Sequence, residues 1–211
     1  RVDDESKTAK LDSFKEKLLE ELRNASEVVA QNYTRTGYLV EVALFDFHFG
    51  KAPGTIDEQC NEYLETLQEL MYKVRSFDIE RIVFPVGNDL FNVDNIFNAT
   101  SKGTPQSNNC DWDEMFAKGL ATMVKAVDYL TQFAPVDIIG VAGNHDTVLS
   151  FSAVEALKYR FWNNANVVVF NPPSTPRKYY KFHNTLIGYT HGDRNKPQDL
   201  PLIMAVEAKH D

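Results

Sequence analysis

Cysteine is nearly missing from this chain: Cys60 and Cys110 are the only two, far apart and in no CxxC. Such usage excludes a multi-bridge disulfide framework and reads as reduced thiols in a cytoplasmic compartment. Long apolar runs are missing too. None approaches the ~18 residues of a membrane span, and no charged segment followed by an apolar one opens the chain. Positive charge is the third deficit, with 22 Lys and Arg against 30 Asp and Glu, a formal net charge of −8. A protein that grips nucleic acid through a basic surface alone needs a larger Lys/Arg footprint. An enzyme that meets phosphate through bound cations does not, because acidic ligands awaiting divalent ions add to a negative count. The chain opens on Arg1 rather than Met and stops in the helical-looking "PLIMAVEAKHD", which is the expectation for a piece of a longer protein.

What is present is an ordinary globular composition, 43% hydrophobic and 12% aromatic over 211 residues, enough for one domain spanning 1–211. Leu11, Phe14, Leu18, Leu19, Leu22 and Val28 recur at helical spacing, predicting an amphipathic helix over about 10–32. "YLVEVALFDF" then reads as a strand. "TIDEQCNEYLETLQELMYKVRSF" reads as a helix with Thr55 as N-cap and Asp57 and Glu58 in its first turn. "IERIVFPVGN" is a second strand, and the polar, Asn-rich residues 91–110 form a long loop of the kind that usually carries function. Helix "DWDEMFAKGLATMVKAVDYLTQF", strand "VDIIGVA", helix "SFSAVEALKYRFW" and short strands "NVVVF", "KYYKF" and "NTLIGYT" follow. The alternation predicts an α/β sandwich.

Histidine is scarce, five in all, yet the strand ends collect it together with Asp and Asn. The strands end in "DFHFGK", "GNDLFNVDN", "GNHD" and "THGDRNK". In open α/β sheets that carboxyl edge is where reacting groups gather. Asp46 and His48 are two residues apart, so an extended backbone would point both to one face. Carboxylates and imidazoles without cysteine suit a dinuclear centre of Mn, Fe, Zn or similar ions rather than a structural zinc site. Each residue also has a plainer reading taken singly. Asp46 and His48 fit a polar strand end, Asn144 a turn after Gly143, His145 a surface imidazole and His191 a turn before Gly192. His183 precedes Asn184 in a hairpin-like turn and reads as structural, and His210 in "EAKHD" lacks a preceding glycine and is not expected to be a ligand.

The ordered series D-x-H, G-N-D, G-N-H-D and H-G, each following a strand, resembles the calcineurin-like metallophosphoesterase superfamily, its DNA-repair exonuclease-like branch in particular. The resemblance covers about residues 38–196. It implies two mixed β-sheets flanked by helices, an αββα sandwich, holding two divalent ions: manganese first, with iron, zinc or magnesium as alternatives. Asp46 and His48 would bind the first ion, Asp89 would bridge both, and Asn144 and His191 would bind the second. His145 would be the catalytic imidazole near the leaving group, with Asp94 or Asp146 as the carboxylate that orients its ring. The implied function is a phosphodiesterase or nuclease in which metal-activated water attacks a phosphoester, nucleic acid being one candidate substrate and a membrane none. A phosphomonoesterase or nucleotidase, and a non-catalytic scaffold, are the alternatives. Two departures stand out: Asn88 is inserted between Gly87 and Asp89, and no G-H-x-H occurs up to Asp211. The expectation is that this motif, one imidazole for each metal, follows in the parent chain.

Overall fold

The computed structural model describes residue 16, residues 37–170 and residues 175–208. Apart from Glu16, which is helical, the helix expected over about 10–32 lies outside the described residues, as does His210. Strand β1 (Tyr38–Glu41) leads through helix α1 (Ile56–Val74) to β2 (Ile79–Gly87), and helix α2 (Trp112–Leu130) leads to β3 (Val136–Val141). Helix α3 (Thr147–Arg160), β4 (Val167–Phe170), the hairpin β5 (Arg177–Phe182) and β6 (Thr185–Thr190), and helix α4 (Leu200–Glu207) complete the order.

Strands β1 to β4 form one parallel sheet in chain order. β2 and β3 sit at its centre and are almost wholly buried, which is why both are mainly apolar, with Glu80, Arg81 and Asp137 as the charged exceptions. Their alternate residues divide the core. Ile82, Phe84, Val86 and Ile138 pack under the helices with Leu67, Met71, Leu120 and Met123. Val83, Ile139 and Val141 face the other way, onto Tyr180 and Tyr189 of the hairpin. The buried Asp137 joins these layers: its Oδ1 accepts from Arg81 at 2.7 Å and its Oδ2 from the Tyr180 hydroxyl at 2.6 Å. On the hairpin's outer side, Arg177 and Tyr179 bond Glu207 of α4. No described helix is long and apolar enough to cross a membrane. Cys60 and Cys110 are free, and burial pushes both thiols up, Cys110 to about 11.

The α/β class is as expected, while three details differ. Instead of two mixed sheets, the described residues form one all-parallel and one antiparallel sheet. β1 ends at Glu41 rather than Phe47, and within the remainder of the expected strand the backbone is left-handed at Asp46. α3 begins at Thr147, three residues before the expected Ser150. Its first amides are capped by a carboxylate far away in sequence: Asp94 Oδ1 accepts from Val148 N and Leu149 N, each at 2.8 Å.

Candidate metal centre

The segments leaving β1 and β2 stay zipped after the regular ladder stops. Asp46 N donates to Asn88 O, His48 N to Asp89 O and Phe49 N to Leu90 O, at 3.0, 3.0 and 2.7 Å. Asp46, His48, Asn88 and Asp89 all have left-handed backbone, with φ between 54° and 63°. Asp, Asn and His tolerate that region better than other side chains. Period-two alternation on an extended strand therefore is not what brings Asp46 and His48 together. The left-handed turns are.

Two glycines make the close approach possible. A Cβ on Gly87, whose φ is +110°, would stand 2.1 Å from Val141 O, and one on Gly143 would stand 2.0 Å from Asp89 Oδ1. With hydrogen there instead, the "GNHD" segment lies directly on Asp89, and the His145 amide donates to Asp89 Oδ1 at 2.8 Å.

Ligand atoms of Asp46, His48 and Asp89 all lie within 4.8 Å of one another. On the other side of Asp89, His191 Nε2 is 3.5 Å from Asp89 Oδ2 and 2.5 Å from Asn144 Oδ1. The five residues expected as ligands thus fall into two groups that share Asp89, one with Asp46 and His48 and one with His191 and its neighbour Asn144. Burial, and then the neighbouring His145, lower the His48 pKa against the opposing pull of Asp46, favouring the neutral ring a metal ligand must have. Its Nδ1 is buried without a hydrogen-bond partner.

Asn88, read from the sequence as an insertion, has a part in the site. Its Oδ1 is 2.5 Å from His191 Nδ1, while Nε2 of the same ring is 2.5 Å from Asn144 Oδ1, so two amide side chains bracket the imidazole. Oxygen and imidazole donors without sulfur fit manganese, iron or zinc.

His145 lies beside this cluster, its ring edge-on to His48 at 4.6 Å between centroids. Nδ1 is 3.0 Å from the Asn92 carbonyl, which only accepts, so Nδ1 carries hydrogen and Nε2 is the nitrogen left for chemistry. Neither expected carboxylate orients this ring. Asp94 caps α3 and takes a bond from Ser101 Oγ at 2.7 Å, reaching the segment that carries His145 rather than the imidazole. Asp146 is fully buried, its Oδ2 accepting from Phe91 N and Ser150 Oγ, and burial pushes it up to about 7. No local pattern marks the Asn92 carbonyl. Asn88 did leave a signal, a polar residue beside Asp89 at a buried strand end. His183 occupies the β5–β6 turn with φ +49° and meets Glu80 at 3.2 Å, as its structural reading expects.

Compared with protein-family models, with curated proteins and with solved structures, the chain finds no match.

Proposed function

We propose that this chain is a dinuclear metal-dependent phosphoester hydrolase of the calcineurin-like metallophosphoesterase kind, acting on phosphodiesters. One observation carries the reading: Asp46 and His48 from the segment after β1, Asn144 after β3 and His191 after β6 gather around Asp89 at the end of β2. The helix layer, parallel sheet, hairpin and α4 support the αββα sandwich of that superfamily. Asp46, His48 and Asp89 would hold one cation, and Asp89, Asn144 and His191 the other. Two such ions neutralise phosphoryl oxygens and acidify bound water.

The chain's own residues then supply position and a proton. Phosphoryl transfer asks a protein mainly for orientation and charge neutralisation, so no Ser or Cys nucleophile is needed. The Asn92 carbonyl holds His145 with Nδ1–H fixed, leaving Nε2 to carry a proton to a leaving oxygen. "GNDLF" and the long 91–110 loop favour a diester over a monoester. Calorimetric titration with manganese, followed by turnover of bis-p-nitrophenyl phosphate against p-nitrophenyl phosphate, tests the reading. Two bound ions and preference for the diester are expected. Preference for the monoester would move the chain to the phosphomonoesterases, and neither binding nor turnover would make it a scaffold.

A further inference from the structure

Resting on the hydrolase reading, we propose that Ser101 is a positioning residue: from the exposed rim of the 91–110 loop it fixes the turn at 143–146, so that the His145 ring is aimed at the leaving oxygen.

Helix α3 makes no cap of its own. Asp146 stands at its N-cap without a side-chain cap bond, its Oδ2 accepting from Phe91 N and Ser150 Oγ instead. The loop supplies what is missing. Thr147 N donates to Ser101 Oγ at 3.0 Å, and Val148 N and Leu149 N donate to Asp94 Oδ1 at 2.8 Å each, so the first amides of the helix are satisfied from 94–101. The Ser101 main chain reaches further back, its N donating to His145 O at 3.2 Å.

The hydroxyl hydrogens have a fixed sense. Asp94 Oδ2, on a buried carboxylate, takes the Ser101 hydrogen at 2.7 Å, because a charged acceptor is stronger than the Thr147 hydroxyl 3.0 Å away. Thr147 gives its own hydrogen to Gly143 O at 2.7 Å. Bonds therefore run without a break from Asp94 through Ser101 and Thr147 to Gly143 O, while Ser101 N holds His145 O. Asn144 lies between the two held carbonyls. The other side of the turn is fixed to the exit of β2, where His145 N donates to Asp89 Oδ1 and Phe91 N to Asp146. Gripped from both sides, His145 has its ring set against the Asn92 carbonyl at 3.0 Å.

Ser101→Ala takes one partner from Asp94 Oδ2 and from Thr147 N together, and a polar group left unsatisfied costs more than a made bond contributes. The turn shifts to recover them. A displacement of about 1 Å at a reacting group costs about 10²-fold in rate. Cation binding is affected less, because Asp46, His48 and Asp89 are held by the main-chain bonds that zip the segments after β1 and β2. The loss falls on proton delivery, which a phenolate leaving group needs and p-nitrophenolate does not.

The test uses the full chain, with manganese for turnover and without added metal for NMR. Methyl phenyl phosphate and methyl p-nitrophenyl phosphate serve as substrates that differ only in leaving group. Ser101→Ala should lower kcat about 10–100-fold on the phenyl ester and less than about threefold on the nitrophenyl ester, with KM and the number of bound ions unchanged. Ser101→Thr, which keeps the hydroxyl, should restore the phenyl ester. In the metal-free chain the His145 Nδ1 proton, identified by its absence from His145→Asn, should stand at low field in wild type and Ser101→Thr and be lost to exchange with water in Ser101→Ala. Should Ser101→Ala fail to fold, Thr147→Val cuts the same run of bonds one link further on and is read in the same way. The assignment is overturned if the alanine variant keeps the Nδ1 signal, or if it loses both esters by the same factor. A wild type that cleaves neither ester while its Nδ1 proton depends on Ser101 as described would leave the positioning standing and remove the hydrolase reading.

Discussion

Asp89 shows how much can depend on one carboxylate. Its Oδ1 receives the His145 amide, its Oδ2 faces His191, and it lies within 4.8 Å of ligand atoms of Asp46 and His48, so both proposed metal positions share it. Asp89→Asn keeps the shape and removes the charge. Manganese affinity should fall by more than the 10–100-fold typical of losing a partner behind a ligand, which calorimetry measures directly. If the variant still bound two ions with wild-type affinity, Asp89 would not be the bridge. His145→Asn makes the contrasting case, because His145 lies beside the ligands without being one. Metal content should stay at the wild-type level while kcat on the diester falls about 10²–10⁴-fold. Away from the site, Asp128 in α2 is half-buried with an unpartnered Oδ1, and burial raises it from 3.8 to about 6 against the pull of Arg160. Below about pH 4 the carboxyl is protonated in folded and unfolded chains alike. Between there and about pH 6 the unfolded chain ionises first, so stability is lost as pH rises and the loss is constant above. After discounting for partial exposure, Asp128→Asn should gain ~1 kcal/mol at pH 7 and nothing near pH 4, as read from urea unfolding at both values.

Helix starts and strand exits separate what local sequence controls from what it does not. α1 begins where "TIDE" says it should: Thr55 Oγ1 accepts from Glu58 N, and Glu58 Oε2 accepts from Thr55 N. Thr55→Ala should therefore lower stability by about 1 kcal/mol and leave manganese affinity as it was. α3 has no such signature, because its cap is Asp94 on a distant loop. The exit of β3 depends on a contact just as remote. Gly143→Ala would drive a methyl into Asp89, displacing the carboxylate and the His145 amide together. That variant should lose both stability, by roughly 1–3 kcal/mol, and manganese binding, which thermal melts with and without the ion will separate. A wild-type response would mean that the segment relaxes without disturbing Asp89.

For the whole molecule, the proposed centre would join the segments that follow β1, β2, β3 and β6. Ions bound to the folded chain alone stabilise it by mass action, ~2.7 kcal/mol when free metal stands at 100 times Kd. Tm should accordingly climb with manganese concentration, return to its starting value with a chelator, and respond far less in Asp89→Asn. A Tm indifferent to manganese in the wild type would count against the centre.

Apolar periodicity and continuous buried runs were enough to read α1, α2, β2 and β3 from the sequence, because each period reports which face of its own element is buried. Asp89, Asn144 and His145 were placed for a related reason: polar residues directly after the buried β2 and β3 must lie at the sheet's edge, whereas Asp46, His48 and His191, which follow the exposed or half-exposed β1 and β6, were singled out by the motif resemblance. Tertiary structure alone decided how they meet. Left-handed turns rather than strand alternation join Asp46 to His48, Asn88 is a partner of His191 rather than a spacer, and Asn92 rather than Asp94 holds the His145 ring. Each of these rests on a contact between segments remote in sequence or on a main-chain torsion or carbonyl. Side-chain pattern along a single segment carries no record of either.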